Sequence, residues 1–211
     1  MNVILVAPQI PNDEATKCTV EWAFQLKAAL TNMDKINLVT FIGKNALRKK
    51  VESVLKKDIG NDGLFIFIDH GENDKLYDAN ENALIDQTNV NLLKNKFIYT
   101  IACKSGTDLG YKALEAGVRG YLGFNNLFYI MASESKIFSH CFLYGVTSLI
   151  RDNMTPLEAR QRIVDKTSET IEKIKDLDSL AQKMREMIVT CLEHNINCMV
   201  CLGDPHWRLA S

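Results

Sequence analysis

The sequence predicts an α/β protein with a mostly parallel six-stranded sheet, helices on both faces and a helical C-terminal half before the last strand. Three observations support this fold class. Five short apolar, β-branched runs alternate with helix-like segments up to residue 124, as in strands joined by crossover helices. From Phe138 onward, apolar residues recur at helical spacing instead. A final apolar run, CMVCL, supplies the sixth strand.

In the first half of the chain, each predicted strand corresponds to one apolar run. These runs are NVILVA, INLVTFI, LFIFID, FIYTIA and VRGYLGF. Apolar periodicity predicts helices between them at Glu14 to Leu30, at about Asn45 to Lys57, and at Asp108 to Ala116. The last of these should stop at Gly117, a typical helix terminator. Polar residues between Leu76 and Val90 predict a small surface hairpin, followed by a helical turn over residues 89–95.

The second half predicts three helices. Phe138, Phe142 and Leu149 share one helical face. The TPLE motif, Thr155 to Glu158, combines an N-cap, a proline at the first helical position and a capping-box glutamate, so a long helix should begin there. A further apolar stripe runs from Leu180 to Leu192, and the polar segment DLDS separates it from the helix before it.

Composition restricts the class of protein. With 211 residues, 46% of them hydrophobic, the chain is expected to form one domain over residues 1–211. Its 25 basic and 26 acidic residues are mixed along the chain and leave a net charge of −1, which disfavours a nucleic-acid partner. The N-terminal apolar run is too short to span a membrane and lacks a basic leader. We therefore expect a cytoplasmic protein with no membrane association.

Six cysteines follow no compact disulfide spacing, so free thiols are expected. Cys198 and Cys201 form a CxxC motif. A zinc site would need a second pair of ligands at similar spacing, and a redox CxxC would open a helix rather than lie in an apolar run. Core cysteines are therefore favoured, and neither a metal nor a cofactor is expected.

Two strands end at reactive side chains. The third strand stops at His70, which precedes Gly71, and the fourth stops at Cys103, which precedes Ser105 and Gly106. Consecutive strands of a parallel sheet are usually neighbours, about 4.8 Å apart, and ligands bind outside their carboxyl ends. An imidazole beside a thiol can collect and return its proton, which makes the thiol a nucleophile. His70 and Cys103 are therefore the candidate catalytic pair.

Glycine beside the histidine predicts an oxyanion hole. Without a side chain, Gly71 lets a substrate approach its backbone N–H closely. Together with the N–H of Cys103, that group could stabilise the oxyanion of a tetrahedral intermediate. Ser105, next to the thiol, is a candidate for orienting the loop.

These motifs resemble a known group of enzymes. DHG at the end of one strand and ACKSG at the end of the next are similar to signatures of the caspase-like clan CD cysteine peptidases, including legumains, gingipains and bacterial CHAT domains. The C-terminal CLGDPHWRL is similar to the LxGDPxxxL that closes many CHAT and gingipain-type domains. The resemblance implies a caspase-hemoglobinase fold, a His70–Cys103 dyad and an oxyanion hole from Gly71 and Cys103. It also implies cleavage of protein or peptide substrates without a metal or cofactor.

The same resemblance suggests a biological setting. Stand-alone CHAT-like proteases resemble latent effectors of bacterial antiviral defence, so a separate sensor or activator protein is an expected partner. For substrate binding, the candidates are Asp69, Asp108, Asn125 and Glu134. The segment GFNNLFYIM contains no basic residue, so cleavage after aspartate is disfavoured. A basic residue before the scissile bond is expected, with Met or Leu as the second choice.

Two alternatives remain open. One is a catalytically degenerate scaffold that keeps the caspase-like fold without turnover. The other is a flavodoxin-like binding module, although the turn APQIPNDEA after the first strand contains no glycine for a phosphate loop.

Overall fold

The described part of the chain forms two sheets, of which the larger is central. The structure is a computed structural model that describes residues 1–177 and 180–209. Within these residues the strands are β1 (Asn2–Pro8), β2 (Asn37–Gly43), β3 (Gly63–Ile68), β4 (Leu76–Tyr77), β5 (Ala83–Ile85), β6 (Lys96–Ile101), β7 (Gly120–Phe124) and β8 (Met199–Gly203). The central sheet has the order β2-β1-β3-β6-β7-β8. Its first five strands are parallel and β8 is antiparallel, which confirms the predicted mostly parallel sheet.

Helices cover both faces of this sheet, as the sequence predicts. They are α1 (Glu14–Thr31), α2 (Arg48–Lys57), α3 (Asp108–Glu115), α4 (Ser135–Arg151), α5 (Pro156–Lys175) and α6 (Gln182–Asn197). Side chains alternate between the two faces along each strand. In β1, Val3 and Leu5 pack in the core that contains α1, α4, α5 and α6, whereas Ile4 and Val6 pack in the core that contains α2 and α3. Burial on both faces explains why β1 and β3 are apolar along nearly their whole length.

Most local predictions are confirmed. The hairpin appears as the antiparallel pair of β4 and β5, and the helical turn as a short 3₁₀ helix at Val90–Leu93. Gly117 follows α3 with φ of +89°. In the capping box, the backbone N–H of Glu158 donates to the Thr155 hydroxyl at 3.2 Å, and the Thr155 N–H donates to the Glu158 carboxylate at 2.7 Å. The DLDS segment follows α5, but its residues 178–179 lie outside the described part of the chain.

The start of α2 differs from the prediction. The helix begins at Arg48 rather than near Asn45, and its N-cap residue provides no side-chain hydrogen bond. Instead, the buried carboxylate of Asp78, in the hairpin, accepts the backbone N–H of Arg48 at 3.2 Å. Because this cap comes from 30 residues further along the chain, local sequence could not reveal it.

The CxxC residues lie at the junction of α6 and β8. Cys198 is buried, and its thiol donates to the carbonyl of Asn195 at 3.3 Å. Burial raises the pKa of Cys198 to about 11 and also raises the pKa of Cys201. Both thiols are thus held in the neutral form at ordinary pH and pack against the core.

None of the described helices combines the length and apolarity that crossing a bilayer would require.

Candidate active site

The ends of β3 and β6 bring His70 and Cys103 together. The two strands are hydrogen-bonded neighbours, as predicted, and Ile68 pairs with Ile101. The backbone N–H of Asp69 extends the ladder by donating to the Ile101 carbonyl at 3.1 Å. His70 and Cys103 each follow the Ile68–Ile101 pair by two residues, so they lie side by side at the carboxyl edge of the sheet.

Two cavities open at this edge. The smaller, of about 70 Å³, is lined by both His70 and Cys103 and extends between α1 and residues 128–130. The larger is a cleft of about 830 Å³ on the other side of His70, bordered by residues 10–14 and by the hairpin. The histidine therefore stands between a small cavity at the thiol and a wide, solvent-open groove.

The Cys103 thiol is held by a backbone donor. The N–H of Phe128 donates to Cys103 Sγ at 3.3 Å, which helps to fix the position of the sulfur. The turn around the thiol is also fixed. Lys104 has φ of +53°, and its N–H donates to the Asn126 carbonyl at 2.9 Å. Ser105 is buried and its hydroxyl donates to the Ala102 carbonyl at 3.0 Å, so it orients this loop.

His70 is oriented by a residue that the sequence analysis did not select. Its Nε2 lies 2.8 Å from Oδ2 of Asp13, which follows β1 and is the N-cap of α1. Burial alone would raise the pKa of Asp13, but hydrogen bonds from His70 and from the backbone N–H groups of Thr16 and Ala15 lower it overall. An ionised Asp13 requires the His70 proton to be on Nε2. Nδ1 is then the nitrogen that is free to accept a proton.

Asp13 could have been found only in part from the sequence. The run NDEA after the first strand contains an aspartate in the position of a helix N-cap. Its contact with a histidine 57 residues away depends on the order of the strands. That order places the ends of β1 and β3 side by side.

Asp69 lies behind the histidine and is almost fully buried. Its carboxylate accepts the backbone N–H of His70 at 2.6 Å and contacts the Thr19 hydroxyl at 2.9 Å. Burial raises the pKa of Asp69 to about 7, against the opposing effects of His70 and Thr19. The Thr19 hydroxyl is also 3.0 Å from the Thr16 carbonyl. A hydroxyl has one proton to donate. When Thr19 donates it to the Thr16 carbonyl, the contact with Asp69 remains a hydrogen bond only if Asp69 is protonated and is the donor.

The backbone N–H groups of Gly71 and Cys103, predicted to form an oxyanion hole, have no acceptor within the described residues. Gly71 faces Leu76 of the hairpin as an isolated antiparallel pair, with a backbone hydrogen bond on either side of it. In such a pair the N–H points away from the partner strand. Within residues 1–177 and 180–209, neither the Gly71 N–H nor the Cys103 N–H donates to another residue. Both N–H groups therefore remain available as hydrogen-bond donors.

The four predicted substrate-binding residues are scattered. Asp69 lines the small cavity at the thiol. Asp108 is the first residue of α3, Asn125 is exposed with its N–H bonded to the Cys198 carbonyl, and Glu134 immediately precedes α4. The last three are not among the residues that line the cavity.

Comparisons with known proteins identify the fold. No family model and no curated protein sequence matches the chain. Among solved structures, the complex of the pro- and mature domains of RgpB from Porphyromonas gingivalis is similar, with a TM-score of 0.66 and 12% identity over 99% of this chain. The Arg-specific cysteine proteinase gingipain R gives 0.57 and 13%, also over 99% of this chain. A secreted C11 cysteine protease from Bacteroides thetaiotaomicron, bound to an irreversible peptide inhibitor, gives 0.54 and 13% over 82%.

This chain spans 48%, 47% and 59% of those three chains, respectively. At such low identity, the similarity establishes the fold. The protein therefore has the fold of the caspase-like cysteine proteases, as its sequence motifs predict.

Substituting Asp69 by asparagine tests the state of its carboxyl. Because the folded pKa is raised from 3.8 to about 7, the stabilising contribution of Asp69 is complete below about pH 4 and is lost as the pH rises to about 7. Asparagine does not titrate but keeps both hydrogen bonds. The measurement is the thermal midpoint of Asp69→Asn minus that of the parent. This difference should increase between pH 4 and pH 7 and level off above pH 7. A difference that stays constant with pH would contradict the raised pKa.

Proposed function

We propose that this protein is a cysteine endopeptidase that cleaves protein substrates through His70 and Cys103. The observation that carries the proposal is the register of β3 and β6, which places the imidazole and the thiol together around one cavity. Peptide-bond cleavage needs a nucleophile, a proton carrier and an oxyanion donor. The residues at this edge supply all three, and the fold is one that cysteine proteases use.

The first half-reaction forms a thioester. His70 Nδ1 takes the thiol proton, and Cys103 Sγ attacks the carbonyl carbon of the substrate. The N–H groups of Gly71 and Cys103 donate to the oxygen that becomes negative. The carbon–nitrogen bond then breaks, and the His70 imidazolium gives its proton to the leaving amine. Asp13 stabilises that imidazolium, since its carboxylate lies 2.8 Å from Nε2.

The second half-reaction restores the enzyme. His70 takes a proton from water as the oxygen attacks the thioester carbon, and the thiol leaves with that proton. The products are an amine and a carboxylic acid. Every proton is accounted for by the imidazole, so the residues at this edge suffice for the reaction.

The biological part of the proposal rests on the sequence resemblance to stand-alone CHAT-like proteases. We propose a latent protease of bacterial defence signalling that acts on one or a few proteins under a separate sensor or activator. Rapid, extensive digestion of casein by the isolated protein would contradict this latency.

Removal of either member of the dyad tests the activity directly. Cys103→Ala and His70→Ala should each lower turnover of a cleaved protein or peptide substrate by at least about 10³-fold, because the covalent route is lost. The thermal midpoint should stay close to that of the parent, since both side chains lie outside the two packed cores. Parental turnover by Cys103→Ala would overturn the assignment and favour a degenerate scaffold or a binding module.

A substitution at Asp13 tests the orientation of the histidine. Asparagine can still cap α1, because it accepts the same backbone hydrogen bonds. Its amide would donate to Nε2 and move the histidine proton to Nδ1, where it blocks acceptance of the thiol proton. Turnover by Asp13→Asn should fall by about 10²- to 10⁴-fold with little change in stability.

The matched control is Glu14→Gln, which removes the same charge from the next residue of the chain. Glu14 pairs with exposed Lys17, and the described ion pairs of His70 are with Asp13 and Asp69 instead. An equal loss in both variants would show that the effect is one of general charge and not of histidine orientation.

A further inference from the structure

The small cavity at the Cys103 thiol has the size and lining of a side-chain pocket. It lies between the first turns of α1 and residues 128–130, and its volume is about 70 Å³. We propose that it receives the side chain of the residue before the scissile bond and selects short, uncharged side chains of the size of Ala, Ser, Thr or Val. This inference rests on the proposed peptidase function and specifies its substrate class.

Chain connectivity places that side chain next to the thiol. Cys103 Sγ attacks the carbonyl carbon, and the side chain of the residue that supplies this carbonyl branches from the adjacent Cα. It must therefore lie within a few ångströms of the sulfur. The small cavity is lined by both the nucleophile and His70, whereas the lining of the large cleft includes His70 but not Cys103.

The volume restricts what can enter. An apolar cavity of about 150 Å³ holds a benzene ring, which has six non-hydrogen atoms. A cavity of about 70 Å³ therefore holds about three such atoms on the same scale. Serine contributes two and valine three, while lysine contributes five and arginine seven. The side chain of the basic residue expected from the sequence therefore has more atoms than this cavity accommodates.

The wall opposite α1 is too well fixed to make room easily. The Phe128 ring packs edge-to-face against Phe124 and Phe142, each with a centroid separation of 4.8 Å. The residue after Phe128, Tyr129, is held by the buried side-chain amide of Asn195. This amide accepts the Tyr129 N–H at 2.9 Å and donates to the Tyr129 carbonyl at 2.7 Å. Displacing this segment would break contacts on both sides, so larger side chains are disfavoured.

The chemistry of the lining disfavours charge. The walls are mostly apolar and include Ala15, Ile101 and Ile130. The polar members besides the dyad are Thr19 and Asp69, which contact one another at 2.9 Å. Asp69 is buried, and burial raises its pKa to about 7, so near pH 7 only about half of this carboxyl is ionised. A lysine or arginine would find no fully ionised partner here, and burying an unpaired charge is costly.

The test uses peptidyl acyloxymethyl ketones that differ only in the side chain next to the reactive ketone: Ala, Ser, Val, Leu, Lys and Asp. Intact-mass spectrometry gives the rate at which each reagent modifies the protein, with Cys103→Ala as the blank. The Ala, Ser and Val reagents should react at least about tenfold faster than the other three, the discrimination expected when a side chain has more atoms than its pocket accommodates.

Two variants connect the preference to this cavity. Ala15→Val adds two carbons to its wall and should slow the Val reagent by about tenfold or more, leaving the Ala reagent less affected. Ile130→Ala enlarges the cavity and should bring the Leu reagent close to the Val reagent. The matched control is Ala28→Val, the same change at an exposed position of α1 that does not line the cavity. It should leave all rates unchanged.

The outcomes separate this inference from the proposed function. Fastest labelling of Cys103 by the Lys, Leu or Asp reagent, or equal rates for all six, would overturn the inference and leave the peptidase assignment intact. Equal effects of Ala15→Val and Ala28→Val would also overturn it. Failure of every reagent to modify Cys103 would overturn the peptidase assignment and the inference together.

Discussion

The parallel register between β3 and β6 is the constraint on which the candidate site depends. With Ile68 opposite Ile101, the two residues that follow each strand are matched, and His70 meets Cys103. A slip of one residue would turn one of these side chains to the opposite face of the sheet. The register is secured by burial, since every residue of both strands is buried. The packing of the core thus fixes the spacing of two reactive groups at its edge.

The order of the strands adds the third group. Because β1 lies next to β3, the loop after β1 ends beside His70 and presents Asp13, 2.8 Å from Nε2. That carboxylate also accepts two backbone N–H groups at the start of α1. One side chain therefore caps a helix and sets the tautomer of the histidine. The hydrogen bonds from the first turn of α1 hold this carboxylate in place.

Thiol environment distinguishes Cys103 from most of the other cysteines. Burial raises the pKa of Cys141, Cys191, Cys198 and Cys201, which keeps those sulfurs protonated. Cys103 is partly exposed, receives the Phe128 N–H and shares a cavity with a histidine. Under the proposed function, the position of Cys103 at the sheet edge is what makes it the reactive thiol.

The sequence predicts the sheet and the dyad because both depend on local patterns. Apolar runs buried on two faces are readily recognised as strands, and each reactive residue comes directly after one. Long-range contacts are different. Asp13 looks only like a helix cap, the start of α2 is set by Asp78 in a distant hairpin, and the Phe128 N–H meets the thiol across 25 residues. These features depend on how the strands and loops are arranged in space, which single-sequence patterns do not encode.

Competition among the thiols for a limiting amount of iodoacetamide near pH 7 tests the central claim most directly. Peptide mapping of the parent should place the first modification on Cys103, well ahead of the other five cysteines, because this thiol shares a cavity with the His70 imidazole. In His70→Ala that lead should disappear. Two results would contradict the account of a His70-activated nucleophile. One is modification of Cys103 at the same rate as the partly exposed Cys191 and Cys201, and the other is an unchanged rate at Cys103 in His70→Ala.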